Sequence, residues 1–287
     1  MPNQETKSGS PLVSVTICSY NAEDFLENTL RSVIKQTYSN MEILVLDNNS
    51  TDGTRSILRE YEDQDDRIEV FYSNENKGAF RGLNHLIEIC EGEYIAIQDH
   101  DDIWHPEKIE RQVEALENNE QYIGCGTNLI KLFENEDKVA FRQYSKCSKV
   151  VPHTSLMFRN EGFYYDSSIG YKTDVYFMKY ILCSENRNLY VLQDALSMHL
   201  VRSDNNNLSK KWTKGIPRNV IRYFNATGEF KTLCWGIIAH LLPDAAINRV
   251  KYQILDFEFQ NIATIAEDNF TRPYLGYIKS YCQAPEK

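Results

Sequence analysis

The sequence lacks the features that mark several classes of protein. Its seven cysteines are odd in number, scattered and never spaced as Cys-x-x-Cys, which fits reduced thiols better than a disulfide framework or a zinc site. Its first residues, MPNQETKSGSP, are polar and contain no apolar stretch like that of a secretory signal. The longest apolar run, residues 233–242, is about half as long as a membrane-spanning helix. We therefore expect a cytoplasmic protein.

Positive charge is also scarce. The 287 residues include 31 Lys and Arg against 41 Asp and Glu, which gives a net charge of -10. Nucleic-acid-binding proteins contact the phosphate backbone with clustered basic side chains, so this balance argues against a nucleic-acid partner. It leaves open the binding of one nucleotide, because a divalent cation can supply positive charge locally. The hydrophobic fraction of 42% is sufficient for a packed core.

The first hundred residues alternate between strand and helix patterns. Apolar, β-branched runs at residues 12–18, 41–46, 68–72 and 93–98 predict four buried strands, with amphipathic helices between them. This order implies an α/β fold with a mostly parallel, doubly wound sheet and right-handed crossovers. Such sheets bind ligands at the carboxyl ends of their strands. Asp47 and the acidic run at residues 99–102 lie at two of those ends.

The acidic run reads Asp99-His100-Asp101-Asp102. Asp99 and Asp101 are two residues apart, so both carboxylates can point to one side of a strand end. Converging carboxylates repel one another unless they are protonated or bridged by a cation, and hard oxygen ligands suit Mg²⁺ or Mn²⁺. Such an ion would neutralise the charge of a departing nucleoside diphosphate. The alternative is a solvated acidic loop in which Asp102 caps the helix that begins near Pro106.

The second half of the chain is less regular. Residues 123–132 and 139–144 predict two strands joined as a hairpin, and residues 171–182 predict a helix with Asp174 in its first turn. We expect a catalytic domain over residues 1–212 and a helical C-terminal segment over residues 213–287. In that segment, residues 232–242 could form a core helix, a contact between subunits of a homo-oligomer or an interfacial anchor. Basic residues near them permit peripheral contact with the inner face of the cell membrane.

The chain resembles the family-2 glycosyltransferases of the GT-A fold. The resemblance is carried, in the family's order, by VSVTICSYN (13–21), LRSVIKQTYSNMEILVLDNNSTDGT (30–54), NKGAFRGLN (76–84), EGEYIAIQDHDDIWHPEKIE (91–110), PHTSLMF (152–158) and GYKTDVYFM (170–178). It implies a Rossmann-like GT-A sheet and a metal-dependent, inverting transfer of a sugar from a nucleoside-diphosphate donor. The acceptor would be a hydroxyl of a glycan or lipid-linked saccharide in bacterial surface polysaccharide synthesis, which rests on analogy of fold.

The resemblance implies donor-binding roles for several residues. Ser19, Tyr20 and Asn21 lie in the loop where the family surrounds the nucleobase, although Tyr20 could also serve in packing. Asp47 matches the acid that accepts a hydrogen bond from a pyrimidine N–H, which favours a UDP-sugar; the alternative is that it caps the next helix. Asp99 matches the contact to ribose or sugar.

Two further donor-side roles concern the metal and the phosphates. Asp101 matches the ligand of Mn²⁺ or Mg²⁺, with Asp102 in the adjoining supporting position. The family often has an Arg just before the Asn that ends the segment 76–84, but Leu83 stands there in this chain. Lys77 or Arg81 could supply the phosphate contact instead.

On the acceptor side, Asp174 matches the general base, which must reach the acceptor hydroxyl. Its alternative is a helix residue favoured by the macrodipole. The resemblance places His153 near the acceptor or the metal, and the alternative is a packing residue. Trp104 lies beside the acceptor sugar or packs under the acidic turn. Arg202 begins a segment, residues 202–211, that is expected to close as a lid over the diphosphate.

The sequence also departs from the family's pattern. Lys172 and Thr173 precede Asp174 where the family often has a second acid, and Asp204 stands where a His is common. The lone acid leaves one rival function open, a catalytically inactive nucleotide- or sugar-binding scaffold. A haloacid-dehalogenase-type phosphatase is disfavoured, because its nucleophilic Asp follows the first strand. A nucleotidyltransferase is disfavoured by the absence of a Gly-rich, basic loop after that strand.

Overall fold

The computed structural model describes residues 9–133, 138–170, 172–202, 225–228, 258–261 and Tyr274. Within these ranges eleven strands form one mixed sheet. In chain order the elements are β1 (Val13–Ser19), α1 (Leu26–Ile34), β2 (Met41–Asp47), α2 (Thr54–Gln64), β3 (Ile68–Tyr72), α3 (Ala79–Ile89), β4 (Tyr94–Asp99), β5 (Ile103–Trp104), α4 (Lys108–Glu117), β6 (Gly124–Phe133), β7 (Lys138–Arg142), β8 (Cys147–Ser148), β9 (Met157–Arg159), α5 (Thr173–Tyr176), β10 (Leu189–Val201) and β11 (Glu258–Asn261).

The first half of the sheet is parallel, in the order β4-β1-β2-β3. Helices α1, α2 and α4 cover one face of it, and α3 covers the other. Because both faces are buried, a strand can be apolar at consecutive positions, as the burial of Ile43, Leu44, Val45 and Leu46 on β2 illustrates. The predicted doubly wound α/β sheet is confirmed.

The second half of the sheet adds antiparallel strands. β9 lies between β4 and β6 and is antiparallel to both. β6 and β7 form the predicted hairpin, in which Leu129 is paired with Arg142. The long strand β10 runs parallel to β6 and antiparallel to the short strand β5. Since β5 directly follows the acidic run, β10 lies beside that run.

Two parts of the chain differ from the expected pattern. The predicted helix over residues 171–182 consists of the single α-helical turn α5 followed by a π-helical segment, Phe177–Leu182. The C-terminal segment contributes a strand, β11, which pairs antiparallel with β7 and was not predicted. Helical periodicity did not identify this strand because its four residues are too few to show a repeat. Residues 232–242 and most of the segment lie outside the described residues.

Two expectations about composition can be compared with the described ranges. The five cysteines described there are all free thiols, as their spacing predicted. In the same ranges, no helix combines the length and the apolar character needed to cross a membrane.

Candidate active site

Carboxylates gather around the end of β1. In the register of the sheet, Ser19 is paired with Asp47 on β2, and Cys18 is paired with Asp99 on β4. Neighbouring strands are about 4.8 Å apart, so Asp47 and Asp99 flank the end of β1. Burial, together with the charges of these two carboxylates, raises the pKa of the Cys18 thiol to about 12. The two acidic strand ends therefore meet at one edge of the sheet, as the alternation of elements predicted.

Asp47 is buried and already holds two polar partners. Its Oδ2 accepts a hydrogen bond from Arg55 Nε at 2.6 Å, and its Oδ1 accepts one from the Ser50 backbone N–H at 3.1 Å. It does not cap α2, whose N-cap is Gly53 with no side-chain hydrogen bond. A nucleobase that bonded Asp47 would therefore share the carboxylate with Arg55 or displace it.

The loop after β1 is fixed by its own side chains. Ser19 is buried, and its hydroxyl donates to the Leu46 carbonyl at 3.2 Å. Asn21 has a left-handed backbone, with φ 47°, and its Oδ1 accepts the Thr51 N–H at 2.9 Å. Tyr20 is exposed. Ser19 and Asn21 thus fix the conformation of the loop, and the Tyr20 side chain between them is open to solvent.

The acidic turn is held from two sides. Buried Asp102 accepts hydrogen bonds from His199 Nδ1 at 3.0 Å and from the Leu200 N–H at 3.0 Å, both on β10. From α1, the Thr29 hydroxyl lies 2.9 Å from the His100 carbonyl and 3.0 Å from the Asp102 carbonyl. Asp102 does not cap α4, which has no side-chain cap. The acidic run is therefore a turn fixed by hydrogen bonds to α1 and β10, rather than a solvated loop.

The Asp102–His199 pair is also electrostatically coupled. Burial raises the pKa of Asp102 to about 6, and the charge of His199 offsets only part of this effect. Burial acts to lower the pKa of His199, but the Asp102 carboxylate outweighs it and raises that pKa. Each group thus favours the ionised form of the other, which strengthens the hydrogen bond between them.

Asp99 begins a short chain of side-chain contacts. Its Oδ1 lies 3.0 Å from His153 Nδ1, and His153 Nε2 lies 2.9 Å from the Tyr165 hydroxyl. Burial acts to lower the pKa of His153, but the Asp99 carboxylate outweighs it and raises the pKa to about 8. Burial acts to raise the pKa of Asp99, but the His153 charge outweighs it and lowers that pKa. His153 is therefore an ion-pair partner of Asp99.

We expect this pair to make stability depend on pH in the metal-free protein. The pKa of His153 is about 8 in the folded chain against 6.5 as the ordinary value, so its contribution is complete below about pH 6.5 and is lost as pH rises through 8. His153→Gln should lower the free energy of unfolding by about 1–2 kcal/mol near pH 6 and by less near pH 9. Urea unfolding at both pH values measures this difference. An equal loss at the two pH values would contradict the ion pair.

Asp174 lies in the first turn of α5, as predicted. The residue at the start of that turn, Lys172, has a left-handed backbone with φ 50°. Burial raises the pKa of Tyr165 well above its ordinary value, and the carboxylates of Asp99 and Asp174 add to this shift. Asp174 also contributes to the raised pKa of His153. Asp174 therefore lies near enough to the His153–Tyr165 pair for its charge to act on both groups.

Asp101 fits one part of a metal site. Its side chain is partly exposed, and its Oδ2 lies 3.8 Å from Arg202 Nη1. Across the residues that the structure describes, no group of three or more His, Cys, Asp or Glu side chains is arranged to hold a metal ion. Mg²⁺ is nevertheless often bound by one or two carboxylates together with substrate phosphates. The Asp101 carboxylate could therefore bind a metal ion whose other ligands include diphosphate oxygens, but within the described ranges it is not part of a preformed set of protein ligands.

The remaining predicted residues lie around this edge. Lys77 is exposed and lies 3.6 Å from Glu75. Arg81 donates from Nε to the Ser167 hydroxyl at 3.3 Å. Trp104 is 1% exposed, so an acceptor sugar could reach its ring only if neighbouring groups moved.

The Trp104 side chain is held by partners outside the acidic turn. Its Nε1 donates to the Thr154 carbonyl at 2.7 Å, and Lys108 Nζ lies 3.7 Å from the centre of its ring. Arg202 lies over the Phe25 ring at 4.4 Å in addition to its contact with Asp101. The rest of the expected lid, residues 203–211, lies outside the described residues, so lid closure stays a prediction.

Three residues of the site were not found from the sequence, namely Arg55, Tyr165 and His199. Arg55 lies eight residues after Asp47, on the helix that follows it, so helix geometry could have suggested the contact. Tyr165 and His199 contact residues that are distant in the chain. No local pattern indicates such partners, because they depend on the order of strands in the second half of the sheet.

A doubly wound sheet with carboxylates at the carboxyl ends of its strands is the architecture of an α/β nucleotide-binding domain. The chain matches the model of glycosyl transferase family 2 over residues 14–190, which is more than half of its length. The chain therefore belongs to glycosyltransferase family 2.

Solved structures share its fold. S. aureus TarS 1–349 in complex with UDP-GlcNAc has a TM-score of 0.58 at 17% identity, and the match covers 94% of this chain and 81% of that one. The mannosyltransferase PcManGT from Pyrobaculum calidifontis, in complex with GDP-Man and Mn²⁺, has a TM-score of 0.60 at 15% identity, covering 96% and 86%. At these identities the likeness shows the fold alone, which is the Rossmann-like GT-A type.

Two curated relatives are more similar in sequence. The putative teichuronic acid biosynthesis glycosyltransferase TuaG of Bacillus subtilis is 47% identical over 106 residues, which are 37% of this chain and 42% of TuaG. The UDP-Glc:alpha-D-GlcNAc-diphosphoundecaprenol beta-1,3-glucosyltransferase WfgD of Escherichia coli is 40% identical over 108 residues, which are 38% of this chain and 42% of WfgD. The chain thus matches well under half of the length of these relatives.

Proposed function

We propose that this protein transfers a sugar from a nucleoside-diphosphate donor, a UDP-sugar in the first instance, to a hydroxyl of a glycan or lipid-linked saccharide, with inversion at the anomeric carbon. The observation that carries the proposal is that Asp47 and Asp99 flank the end of β1 in a family-2 sheet, with Asp101 in the turn that follows β4. Each of these carboxylates has a cationic side chain beside it in the free protein. A divalent cation with a diphosphate would replace that contact at Asp101, and the donor would supply hydrogen-bonding partners for the other two carboxylates.

The proposed reaction is a single displacement. The acceptor oxygen forms a bond to the anomeric carbon while the bond from that carbon to the diphosphate oxygen breaks. The electron pair leaves with the nucleoside diphosphate, and the proton of the acceptor hydroxyl goes to the Asp174 carboxylate. Attack opposite to the leaving group inverts the configuration, so an α-linked donor gives a β-glycoside.

In this proposal each side chain has a separate task. Asp47 contacts the base, with Ser19, Tyr20 and Asn21 around it, and Asp99 contacts the ribose or the sugar. Asp101 holds Mn²⁺ or Mg²⁺ between the protein and the phosphates, where the ion would neutralise charge on the leaving group.

Lys77 and Arg202 supply positive charge near the phosphates in the same proposal. Arg202 would have to release Asp101 before it could do so, since the two groups are now 3.8 Å apart. Such an exchange would accompany closure of the expected lid, residues 202–211, over the diphosphate.

The names of two relatives support a biosynthetic role for the proposed transfer. TuaG is named for teichuronic acid biosynthesis, and WfgD is named for a glucosyl transfer from UDP-Glc to a GlcNAc-diphosphoundecaprenol acceptor. We therefore propose a role in bacterial surface polysaccharide synthesis, with a sugar linked to a lipid diphosphate as the first acceptor class to test.

The test is calorimetric titration of the chain with a panel of UDP-, GDP- and dTDP-sugars, with and without Mn²⁺. We expect one UDP-sugar to bind only in the presence of metal, because its diphosphate completes the coordination that Asp101 begins. Transfer is then assayed with that donor and a diphosphate-linked sugar acceptor.

Each outcome of this test has a distinct meaning. Metal-dependent binding with turnover supports the transferase. Binding without turnover of any donor would favour the inactive scaffold. If nothing bound, with or without metal, the proposal would be wrong.

A further inference from the structure

Tyr165 is a buried tyrosine between the acidic turn and the helix that carries Asp174. Its side chain is 3% exposed, and its hydroxyl lies 2.9 Å from His153 Nε2. Its ring stacks on Phe177, with the ring centres 4.0 Å apart. A buried tyrosine hydroxyl needs a polar partner, and this one is satisfied by the imidazole that pairs with Asp99.

The backbone of Tyr165 is held as firmly as its side chain. On α3, Asn84 Oδ1 accepts the Tyr165 N–H at 2.7 Å, and Asn84 Nδ2 donates to the Tyr165 carbonyl at 2.8 Å. Phe80, one turn earlier, lies against the rings of both Tyr165 and His153, with centre-to-centre distances of 5.2 Å and 6.1 Å. The hydroxyl therefore has one position, and that position is opposite one nitrogen of His153.

His153 depends on this hydroxyl for its orientation. A hydrogen bond at one ring nitrogen of a histidine fixes both the plane of the ring and the group presented by the other nitrogen. Here Nε2 is engaged by Tyr165, and Nδ1 faces Asp99. The Asp99 side chain is 37% exposed, so the imidazole is what restrains a carboxylate that faces the donor side of the site.

The same tyrosine is tied to the proposed base. Phe177, on which it stacks, begins the π-helical segment immediately after α5, three residues beyond Asp174. Asp99 is thus connected to the helix of Asp174 by two hydrogen bonds, through His153 and Tyr165, and by the stacking of Tyr165 on Phe177. A misplacement of about 1 Å between reacting groups can cost about 10²-fold in rate, so a connection that fixes their distance would favour turnover.

We propose that Tyr165 is a positioning residue that, through His153, holds Asp99 at a fixed distance from Asp174. The inference rests on the function proposed above. The role belongs to the hydroxyl, because the stacking on Phe177 and the backbone bonds to Asn84 need only the ring and the main chain. It predicts that the hydroxyl affects turnover of the bound donor far more than the binding of that donor.

The kinetic experiment compares Tyr165→Phe with Tyr164→Phe. Tyr164 is the adjacent residue, is 44% exposed and makes none of these contacts in the described structure, so it is a matched control. We expect Tyr165→Phe to lower kcat by about 10-fold or more while the Kd of the donor with Mn²⁺ changes less than about twofold. Tyr164→Phe should change neither quantity.

A spectroscopic readout tests the contact without any turnover. The chain has six histidines, and loss of one imidazole signal in His153→Gln assigns His153 in a ¹⁵N spectrum. We expect the His153 ring shifts to move in Tyr165→Phe and to stay in place in Tyr164→Phe. This measurement remains decisive if no donor is found, so failure of the inference and failure of the proposed function are distinguishable.

Three results would overturn the inference. The first is an unchanged set of His153 shifts in Tyr165→Phe, whatever happens to kcat. The second is an unchanged kcat. The third is a loss of kcat matched by an equal loss of donor affinity, which would indicate general damage to the site.

Discussion

Asp174→Asn is expected to lower kcat by about 10³-fold or more while leaving donor affinity within about twofold of the wild type. Asparagine keeps the shape of the side chain and the first turn of α5, but it cannot take the proton of the acceptor hydroxyl. Donor binding should persist because Asp47, Asp99 and Asp101 belong to β2, β4 and the turn after β4, and not to α5. Steady-state kinetics and calorimetry, on the same preparations, measure the two quantities.

The matched control is Asp166→Asn. Asp166 lies on the loop just before α5, is exposed, and accepts a hydrogen bond from the Ser168 N–H at 3.0 Å. Its replacement should leave kcat near the wild-type value. If Asp174→Asn kept more than about a hundredth of the wild-type rate, Asp174 would be a helix residue rather than the base, since a lost general base costs at least about 10²-fold.

Asp102→Ala should cause the largest loss of stability, about 3 kcal/mol in the free energy of unfolding. Asp102 is buried, and its removal leaves His199 Nδ1 and the Leu200 N–H without their acceptor. The acidic turn would also lose its attachment to β10, so metal-dependent donor binding should weaken as well. Thermal and urea unfolding measure the first effect, and calorimetry measures the second.

Asp101→Ala is the contrasting variant. The Asp101 side chain keeps 15% exposure whereas that of Asp102 keeps none, and its contact with Arg202 at 3.8 Å is a loose ion pair, so its removal should lower the free energy of unfolding by about 1 kcal/mol, which is less than for Asp102. It should nevertheless abolish the metal dependence of donor binding. Equal stability losses for Asp101→Ala and Asp102→Ala would mean that the division of roles between the two carboxylates is wrong.

The first half of the molecule could be predicted closely from the sequence. Strands buried on both faces are continuous apolar runs, and Asp47 and Asp99 follow two of them directly. Their meeting at the end of β1 then follows from parallel topology alone. The helix with Asp174 in its first turn was also recognisable, because polar residues precede an apolar periodic segment.

The contacts that organise the site could not be predicted in this way. His199 reaches Asp102 because β10 runs beside β5, and no local pattern determines which strand a thirteen-residue strand will join. The π-helical segment after α5 is six residues long, which is too short for apolar spacing to distinguish it from an α-helix. Asp99 and His153 are separated by 54 positions, and only the antiparallel pairing of β9 with β4 brings them together.

The pairing of β11 with β7 has a practical consequence for the division of the chain at residue 212. β11 and Tyr274 both come from the C-terminal segment, and Tyr274 is buried, with its hydroxyl donating to the Ala195 carbonyl at 3.1 Å. A fragment that ended at residue 212 would lose both attachments and would expose the backbone donors and acceptors along β7. Unpaired strand edges of this kind can pair with other chains, so the shortened protein should associate more readily than the full chain.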